Sequence, residues 1–429
     1  MKSDLIIEAA AQLVTCAANG AAKRGSQMQT VGIVEDGALA IDKGKIVGVG
    51  TRAEINREFA GEKTIEARNK VVCPAFVDPH THVVYAGDRL GEFELKIKGA
   101  DYLEILKNGG GIVSTVKQTR EASLETLIEQ SRRRLDAMLA CGTLTAEIKT
   151  GYGLDTATEL KMLEAIFELD KVHPVSLIPT FLPAHTFPPE FKENENEYVA
   201  LICDEMLPEA MRRYETAYPE SPVAPRSPHF FADVFCEKNA FNLEQSKRVL
   251  ETAKSLGYGL KAHVDEFTNL GCARLAIKLG ATSIDHLDAI SDEEIKLLSE
   301  SETIGVVTPT VNFNFGATEF ADARRMIDAN CAIAVSTDFN PGSAPCPSQP
   351  LAMAIACRYQ KLLPSEAFNA ATINAAFALG LGDVVGSLEV GKQADVLILD
   401  TDDYRQIAYE FGGNAIEKRF KNGRIVGER

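Results

Sequence analysis

The chain has 429 residues, with 45 Lys and Arg against 61 Asp and Glu and a formal charge of -16. That length exceeds a small single module and admits one large or two linked domains, and the acidity opposes binding to nucleic acid or an anionic membrane surface. With 45% hydrophobic and 25% charged residues, the composition is that of a chain that folds in water and not of a disordered one.

The start, Met1-Lys2-Ser3-Asp4, carries acidic Asp4 and Glu8 where a signal peptide would be apolar, and no run approaches the roughly 20 apolar residues of a membrane span. A soluble, cytoplasmic protein is expected. Leu39-Ala40-Ile41 and Ile46-Val47-Gly48-Val49, separated by Asp42-Lys43-Gly44-Lys45, predict a β-hairpin within Gly37 to Gly50.

Strand-like runs then alternate with amphipathic segments. The runs lie near Ala75-Val77, Leu144-Ile148, Val175-Thr180, Ala232-Phe235, Leu260-Ala262, Thr282-Ile284, Ile304-Thr308 and Ala332-Ser336. Leu124, Leu127, Ile128, Leu135, Met138 and Leu139 share one helix face, and Leu160, Met162, Leu163, Ile166 and Phe167 supply another. Asp101 to Asn108 also reads as helix, and the glycines Gly109 to Gly111 read as a flexible loop or helix cap. Eight parallel strands with crossover helices predict a closed α/β barrel whose site lies beyond the C-terminal strand ends, with a doubly wound open sheet as the alternative. Tyr214 to Pro228, rich in Pro, Ser and Glu, reads as a surface loop.

Near the end, Gly386 to Gln393 nearly spells a phosphate loop. Gln393 stands where the Ser or Thr should be and no helix follows, so a β turn is expected. Ala394 to Asp400 reads as a strand, and Arg419 to Val426 as a hairpin around Asn422-Gly423.

Nine scattered cysteines form no Cys-x-x-Cys pair, which argues against a disulfide framework or zinc finger. The seven histidines are more informative. His80 and His82 follow the first strand at i, i+2 spacing, which in an extended backbone turns both imidazoles to one side. Alone, such a pair is as readily two polar loop residues. His263, His286 and Asp338 each end a later barrel run, and imidazoles with a carboxylate at successive strand ends suit zinc or iron with room for a water. Such an ion acidifies water and polarises a carbonyl, the two needs of amide hydrolysis. Glu266, three residues after His263, can face the same pocket if the backbone turns there, although a solvated acid is its simpler reading.

Pro79-His80-Thr81-His82, His263 with Glu266, His286, Asp338 and Gly391-Lys392-Gln393-Ala394-Asp395 resemble the amidohydrolase superfamily. From about residue 35 onward the chain is similar, within it, to the imidazolonepropionase family. That likeness rests on Ala86-Gly87-Asp88-Arg89, Gly109-Gly110-Gly111-Ile112, Thr119-Arg120, the run Glu147 to Leu154, Ala184-His185 with Pro188-Pro189-Glu190, and Thr337 to Ser343. Thr150 and Pro183 depart from it, where Ser and Gly are expected.

The resemblance implies a (β/α)8 TIM-like barrel over 74–382 and a small β-sandwich built from 1–73 and 383–429. It implies hydrolysis of 4-imidazolone-5-propanoate to N-formimidoyl-L-glutamate in histidine degradation, and a homodimer. It makes His80, His82, His263 and Asp338 the ligands of one Zn2+ or Fe ion per subunit, and Arg89, Tyr152, His185, Glu266, Asn340, Gly342 and Ser343 the substrate contacts. His286 would lie near the attacking water; Asp338, Glu266 and His286 are the candidate proton carriers, in no fixed order. In residue chemistry, Arg89 can clamp a propanoate bidentately, and Asn340 with the Gly342 and Ser343 amides can offer neutral donors, although that stretch alone reads as a turn. No lysine ends the fourth barrel run, where Phe235-Cys236-Glu237 stands, so one ion and not two is expected. A ring deaminase of the same superfamily remains the alternative, and a metal-free scaffold a remoter one.

Overall fold

The computed structural model describes residues 1–98, 110–219 and 229–428. The N-terminal segment supplies β1 (Lys2–Val14), β2 (Ile33–Asp42), β3 (Lys45–Thr51), β4 (Ala60–Glu66) and β5 (Val71–Pro74). The expected hairpin is β2–β3, and Lys43 and Gly44 turn it with φ of 49° and 78°, the paired positive values that match strand twist. β1 escapes the sequence pattern because it is bulged. Ala9 sits at φ 59° and the register against β2 shifts between Ile7 and Ala10, which breaks the period-two alternation.

The barrel follows at once, with only Ala75 between β5 and β6 (Phe76–Asp78). Next come β7 (Thr143–Lys149), β8 (Ser176–Ala184), β9 (Phe231–Cys236), β10 (Gly259–Val264), β11 (Ser283–His286), β12 (Ile304–Val307) and β13 (Ile333–Val335). All eight coincide with the expected runs, and each pairs in parallel with its sequence neighbours. The two edges meet through a parallel bridge between Thr81 and Phe339. Asp78 adds to that seam by accepting from Ser336 Oγ at 2.6 Å and from Thr337 N and Oγ1 at 3.2 and 2.6 Å. The result is a nearly closed (β/α)8 barrel, not an open sheet.

The crossover helices form where apolar spacing and caps agree. Helix Leu124–Ala140 buries Leu127, Leu135 and Met138 and is capped by Ser123, which accepts from Thr126 N. Helix Thr156–Val172 is capped by Asp155, which accepts from Thr158 N at 2.7 Å; a cap of this kind contributes about 1 kcal/mol. The loop expected from Tyr214 begins later than the sequence suggests. Tyr214 lies in helix Leu207–Ala217 and its ring stacks on Phe230 with centroids 4.5 Å apart, so aromatic packing carries the helix into the polar stretch. The remainder of that loop, 220–228, lies outside the described residues, as do the helix read at 101–108 and Gly109. Gly111, at φ 72°, is the N-cap of helix Ile112–Glu121.

β14 (Val396–Leu399), β15 (Ile416–Lys421) and β16 (Arg424–Glu428) return to the first sheet, in the order β16-β15-β14-β5-β1-β2-β3 with β4 beside β1. The sheet curls until the β2–β3 hairpin meets the segment leading into β14: Ile46 N donates to Lys392 O at 3.0 Å and Ala394 N to Gly44 O at 2.9 Å. Leu13, Leu39, Ile41, Val72, Val396, Ile398 and Phe420 fill the resulting two-layer core. The phosphate-loop lookalike is turn structure, with Lys392 Nζ consumed by Gly382 O and Ser387 Oγ, both at 2.6 Å. All nine cysteines are free thiols. No helix among the described residues is long and apolar enough to cross a membrane.

Candidate active site

Residues two apart on a barrel strand share the inner face. That spacing brings inward Asp78, His80 and His82 from β6 and the chain beyond it, Lys261 and His263 from β10, and Asp285 from β11. All are buried.

His80 Nδ1 donates to Asp285 Oδ2 at 2.7 Å, and His263 Nδ1 donates to Asp233 Oδ1 at 3.1 Å, since a carboxylate there can only accept. Both rings therefore carry their proton at Nδ1 and turn the Nε2 lone pair forward. His82 Nε2 lies 3.3 Å from His80 Nε2 and 3.4 Å from His263 Nε2, while Asp338 Oδ1 lies 3.5 Å from His80 Nε2 and 3.6 Å from His82 Nε2. Donors held tetrahedrally about 2.0–2.1 Å from one ion stand roughly 3.3–3.4 Å apart. His80 and His263 present lone pairs to this space, and His80, His82 and His263 offer atoms within 4.8 Å of one another, as do His80, His286 and Asp338, so these donors fit a divalent cation. Burial keeps the imidazoles of His80 and His82 neutral, as ligation requires.

Three groups in or beside this set can move protons. Burial pushes the Asp338 carboxyl up to about 7, against the hydrogen bond it accepts from Asn340 Nδ2. Glu266 is held well above the ordinary carboxyl range by burial and by the negative charge of Asp338. Its Oε2 lies 3.9 Å from His286 Nε2, and His286 Nδ1 is hydrogen-bonded with Thr308 Oγ1 at 3.1 Å. His286 and Asp338 adopt φ of 82° and 46°. Non-glycine residues in that region cost on the order of 1–3 kcal/mol and cluster at functional sites.

A cavity of about 180 Å³ opens above these donors and is lined by all but His80 of the residues singled out in the sequence. Among the described residues that line it, Arg89 is the one guanidinium or ammonium. Arg89 Nε donates to Thr115 Oγ1 at 2.8 Å, and the guanidinium lies directly over Gly342, where a Cβ would come within 2.1 Å of Nη1. Tyr152 is buried, which raises its phenol pKa, and sits between Tyr85 and His82 with ring centroids 6.1 and 5.8 Å away. His185 stacks on His82 at 5.1 Å and donates from Nδ1 to Gly151 O at 3.0 Å. The expected Gly342 and Ser343 donors are already engaged: both amides donate to Asn340 Oδ1 at 2.8 Å. Asn340 Nδ2 donates to Asp338 O at 2.8 Å and Oδ1 at 3.1 Å and to Ser343 Oγ at 2.7 Å, so the turn is closed upon Asp338. The departures are absorbed locally, for Thr150 Oγ1 accepts from Leu182 N and Pro183 O accepts from Tyr198 OH.

Sequence reasoning missed the layer beneath. Lys149 Nζ donates to Asp233 Oδ2 at 2.6 Å, Glu147 Oε1 at 2.9 Å and Asp285 Oδ2 at 3.4 Å, while Lys261 Nζ donates to Glu147 Oε2 at 3.1 Å and Pro79 O at 3.0 Å. All five side chains are fully buried. It also missed Thr115, Glu92 and Phe315, of which the last two line the cavity, and it named Ile112 and Phe235, which line it too, without a place in the site. The i, i+2 spacing of Glu147 with Lys149, and of Lys261 with His263, was the available signal.

A parallel barrel with imidazole and carboxylate donors at its C-terminal strand ends is the architecture of a metal-dependent amidohydrolase, and the Amidohydrolase family matches residues 239–426. Imidazolonepropionase of Chloroflexus aggregans is 49% identical over 423 residues, 99% of this chain and 98% of that protein. That of Geobacillus kaustophilus is 45% identical over 98% of this chain and 97% of its own. The chain belongs to the imidazolonepropionase family. Among solved structures, guanine deaminase of E. coli superposes with a TM-score of 0.73 at 18% identity, covering 99% of both chains. A zinc-bound adenosine deaminase of Xanthomonas campestris gives 0.72 at 20%, covering 99% of this chain and 93% of its own. These two share the fold.

Proposed function

We propose that the chain hydrolyses the ring amide C–N bond of 4-imidazolone-5-propanoate to give N-formimidoyl-L-glutamate, a step of histidine degradation. The observation that carries this reading is one cavity lined both by donors suited to a carbonyl-polarising ion and by a single guanidinium suited to a carboxylate. The substrate has those two features, a ring carbonyl and a propanoate.

His80, His82, His263 and Asp338 would hold one Zn2+ or Fe ion, which supplies acidity to water and polarisation to a carbonyl. Arg89 clamps the propanoate, with Thr115 fixing its Nε. Tyr152 and His185 line the cavity wall for the planar ring, and Ser343 Oγ keeps its own proton to donate, because Asn340 Nδ2 occupies it only as acceptor. Asp338 takes the proton that water loses on attack. Glu266, which retains its own proton by burial, delivers it to the ring nitrogen as the C–N bond breaks, and His286 Nε2 stands 3.9 Å from the Glu266 carboxyl, beside the attacking water. Gly342 contributes clearance for Arg89.

The test is to incubate purified protein with imidazolonepropanoate, follow the loss of its ultraviolet absorbance and identify the product by mass. Stripping with a chelator should abolish the reaction and Zn2+ or Fe2+ should restore it. Release of ammonia from a purine or pyrimidine, with no turnover of imidazolonepropanoate, would instead establish the deaminase reading.

A further inference from the structure

The donor set stands on a floor of five buried charges, and that floor converges on one atom. Lys149 Nζ contacts Asp233 at 2.6 Å and Asp285 at 3.4 Å. Each of those carboxylates also receives the Nδ1 proton of a ring in the donor set, Asp233 from His263 and Asp285 from His80. A single ammonium is thus the shared partner of the two groups that orient two imidazoles. The remaining carboxylate, Glu147, is divided between Lys149 and Lys261. Three carboxylates against two ammonium groups leave one net negative charge in a space without exposed surface. Removing Lys149 would leave three buried carboxylates with one ammonium group, an arrangement that buried charges tolerate poorly.

We infer that Lys149 is a positioning residue of the metal centre: by holding Asp233 and Asp285 together it fixes the tautomer and orientation of His263 and His80, and so sets the affinity for the ion. The inference rests on the metal reading of the four donors. Partners of ligating histidines typically contribute 10–100-fold to metal affinity, and Lys149 acts on two such partners at once. A merely structural lysine would stabilise the barrel and leave the affinity of the folded apoprotein unchanged.

The experiment compares the parent with Lys149→Met, both stripped of metal and shown to be folded by circular dichroism. Zn2+ affinity is measured by competition with a chromophoric chelator, and coordination geometry by the visible spectrum of the Co2+-loaded protein. Lys149→Met should bind Zn2+ 10–100-fold more weakly and give an altered Co2+ spectrum, with His80, His82, His263 and Asp338 all intact. Affinity within threefold of the parent and an unchanged spectrum would overturn the inference. A parent that binds neither ion would overturn the metal reading itself, which keeps the two failures distinct. If Lys149→Met does not fold, Asp233→Asn, Asp285→Asn and their double variant decide. Each single change should weaken Zn2+ binding and the double change should cost less than the product of the two, because both act through one ammonium. Strictly multiplicative losses would show that the carboxylates act separately and overturn the link.

Discussion

Gly342→Ala isolates the contribution of the Arg89 clamp without touching Arg89. A Cβ at this position would lie 2.1 Å from Arg89 Nη1 and 2.8 Å from Cζ. Unstrained contact needs about 3.5 Å, so the guanidinium must retreat by roughly 1.4 Å. The clashing atoms are the far end of a flexible side chain, and Gly342 is not among the positive-φ glycines. Folding should therefore cost about 1 kcal/mol, the central value for a single substitution, because the flexible guanidinium and not the backbone gives way. A shift of that size breaks either the 2.8 Å bond to Thr115 or the alignment with a bound carboxylate. Misplacement by about 1 Å costs up to ~100-fold, and one charge-assisted hydrogen bond about 1.5–3 kcal/mol. The expectation is a KM raised about 10–100-fold, or roughly 1.4–2.7 kcal/mol, with kcat changed less and the melting temperature nearly constant. Steady-state hydrolysis of imidazolonepropanoate measures it, and an analogue with an uncharged ester in place of the carboxylate is the control. An unchanged KM, or an equal loss on the ester, would refute the clamp. Combined with Arg89→Met, the alanine should add almost nothing, because both changes remove the same contact.

Two further changes separate chemistry from scaffolding. Glu266→Gln keeps the shape of the side chain but removes its proton-carrying role, and should lower kcat by about 10²–10⁴-fold while leaving bound metal, measured by elemental analysis, at the parent level; an unchanged kcat would remove Glu266 from the chemistry. Glu159, fully buried, accepts from Gly151 N at 3.0 Å, Gly153 N at 2.7 Å and Leu154 N at 2.9 Å, and so shapes the loop carrying Tyr152. Glu159→Gln turns one acceptor into a donor facing N–H groups, so thermal unfolding should show a loss of about 1–3 kcal/mol and kinetics a raised KM. Loss of stability without any change in KM would show that the loop is not part of the binding site.

The eight barrel strands were legible because each is a short apolar run ended by polar or glycine-bearing segments, a pattern that survives burial on both faces. β1 was not, since its bulge at Ala9 shifts the alternation halfway along. The same logic separates the site residues. His80, His82, His263, His286 and Asp338 could be read because each sits at a strand end, a position with chemical meaning in a barrel. Thr115 could not, because its contact with Arg89 joins residues 26 positions apart and leaves no local mark. The Gly342 and Ser343 amides were read as free donors only because a sequence does not show that the Asn340 carboxamide folds back upon them.

The charged floor was overlooked for a different reason. Lys and Glu within a strand are ordinarily assigned to the exposed face, and that rule fails where an inner face must neutralise itself. Glu147 and Lys149 lie two apart on β7, as Lys261 and His263 do on β10, so any register that turns His263 inward turns Lys261 inward as well. The buried ammonium groups are thus a consequence of the donor geometry together with strand periodicity. They also bear on the net charge of -16. An acidic protein gathers an anionic substrate only by concentrating positive charge locally. Here Lys149 and Lys261 are spent on carboxylates below the site and face no ligand. Among the described residues, attraction for the propanoate therefore falls to Arg89 and to the ion that the four donors would hold, and loss of either should weaken binding of the anion more than of its uncharged ester.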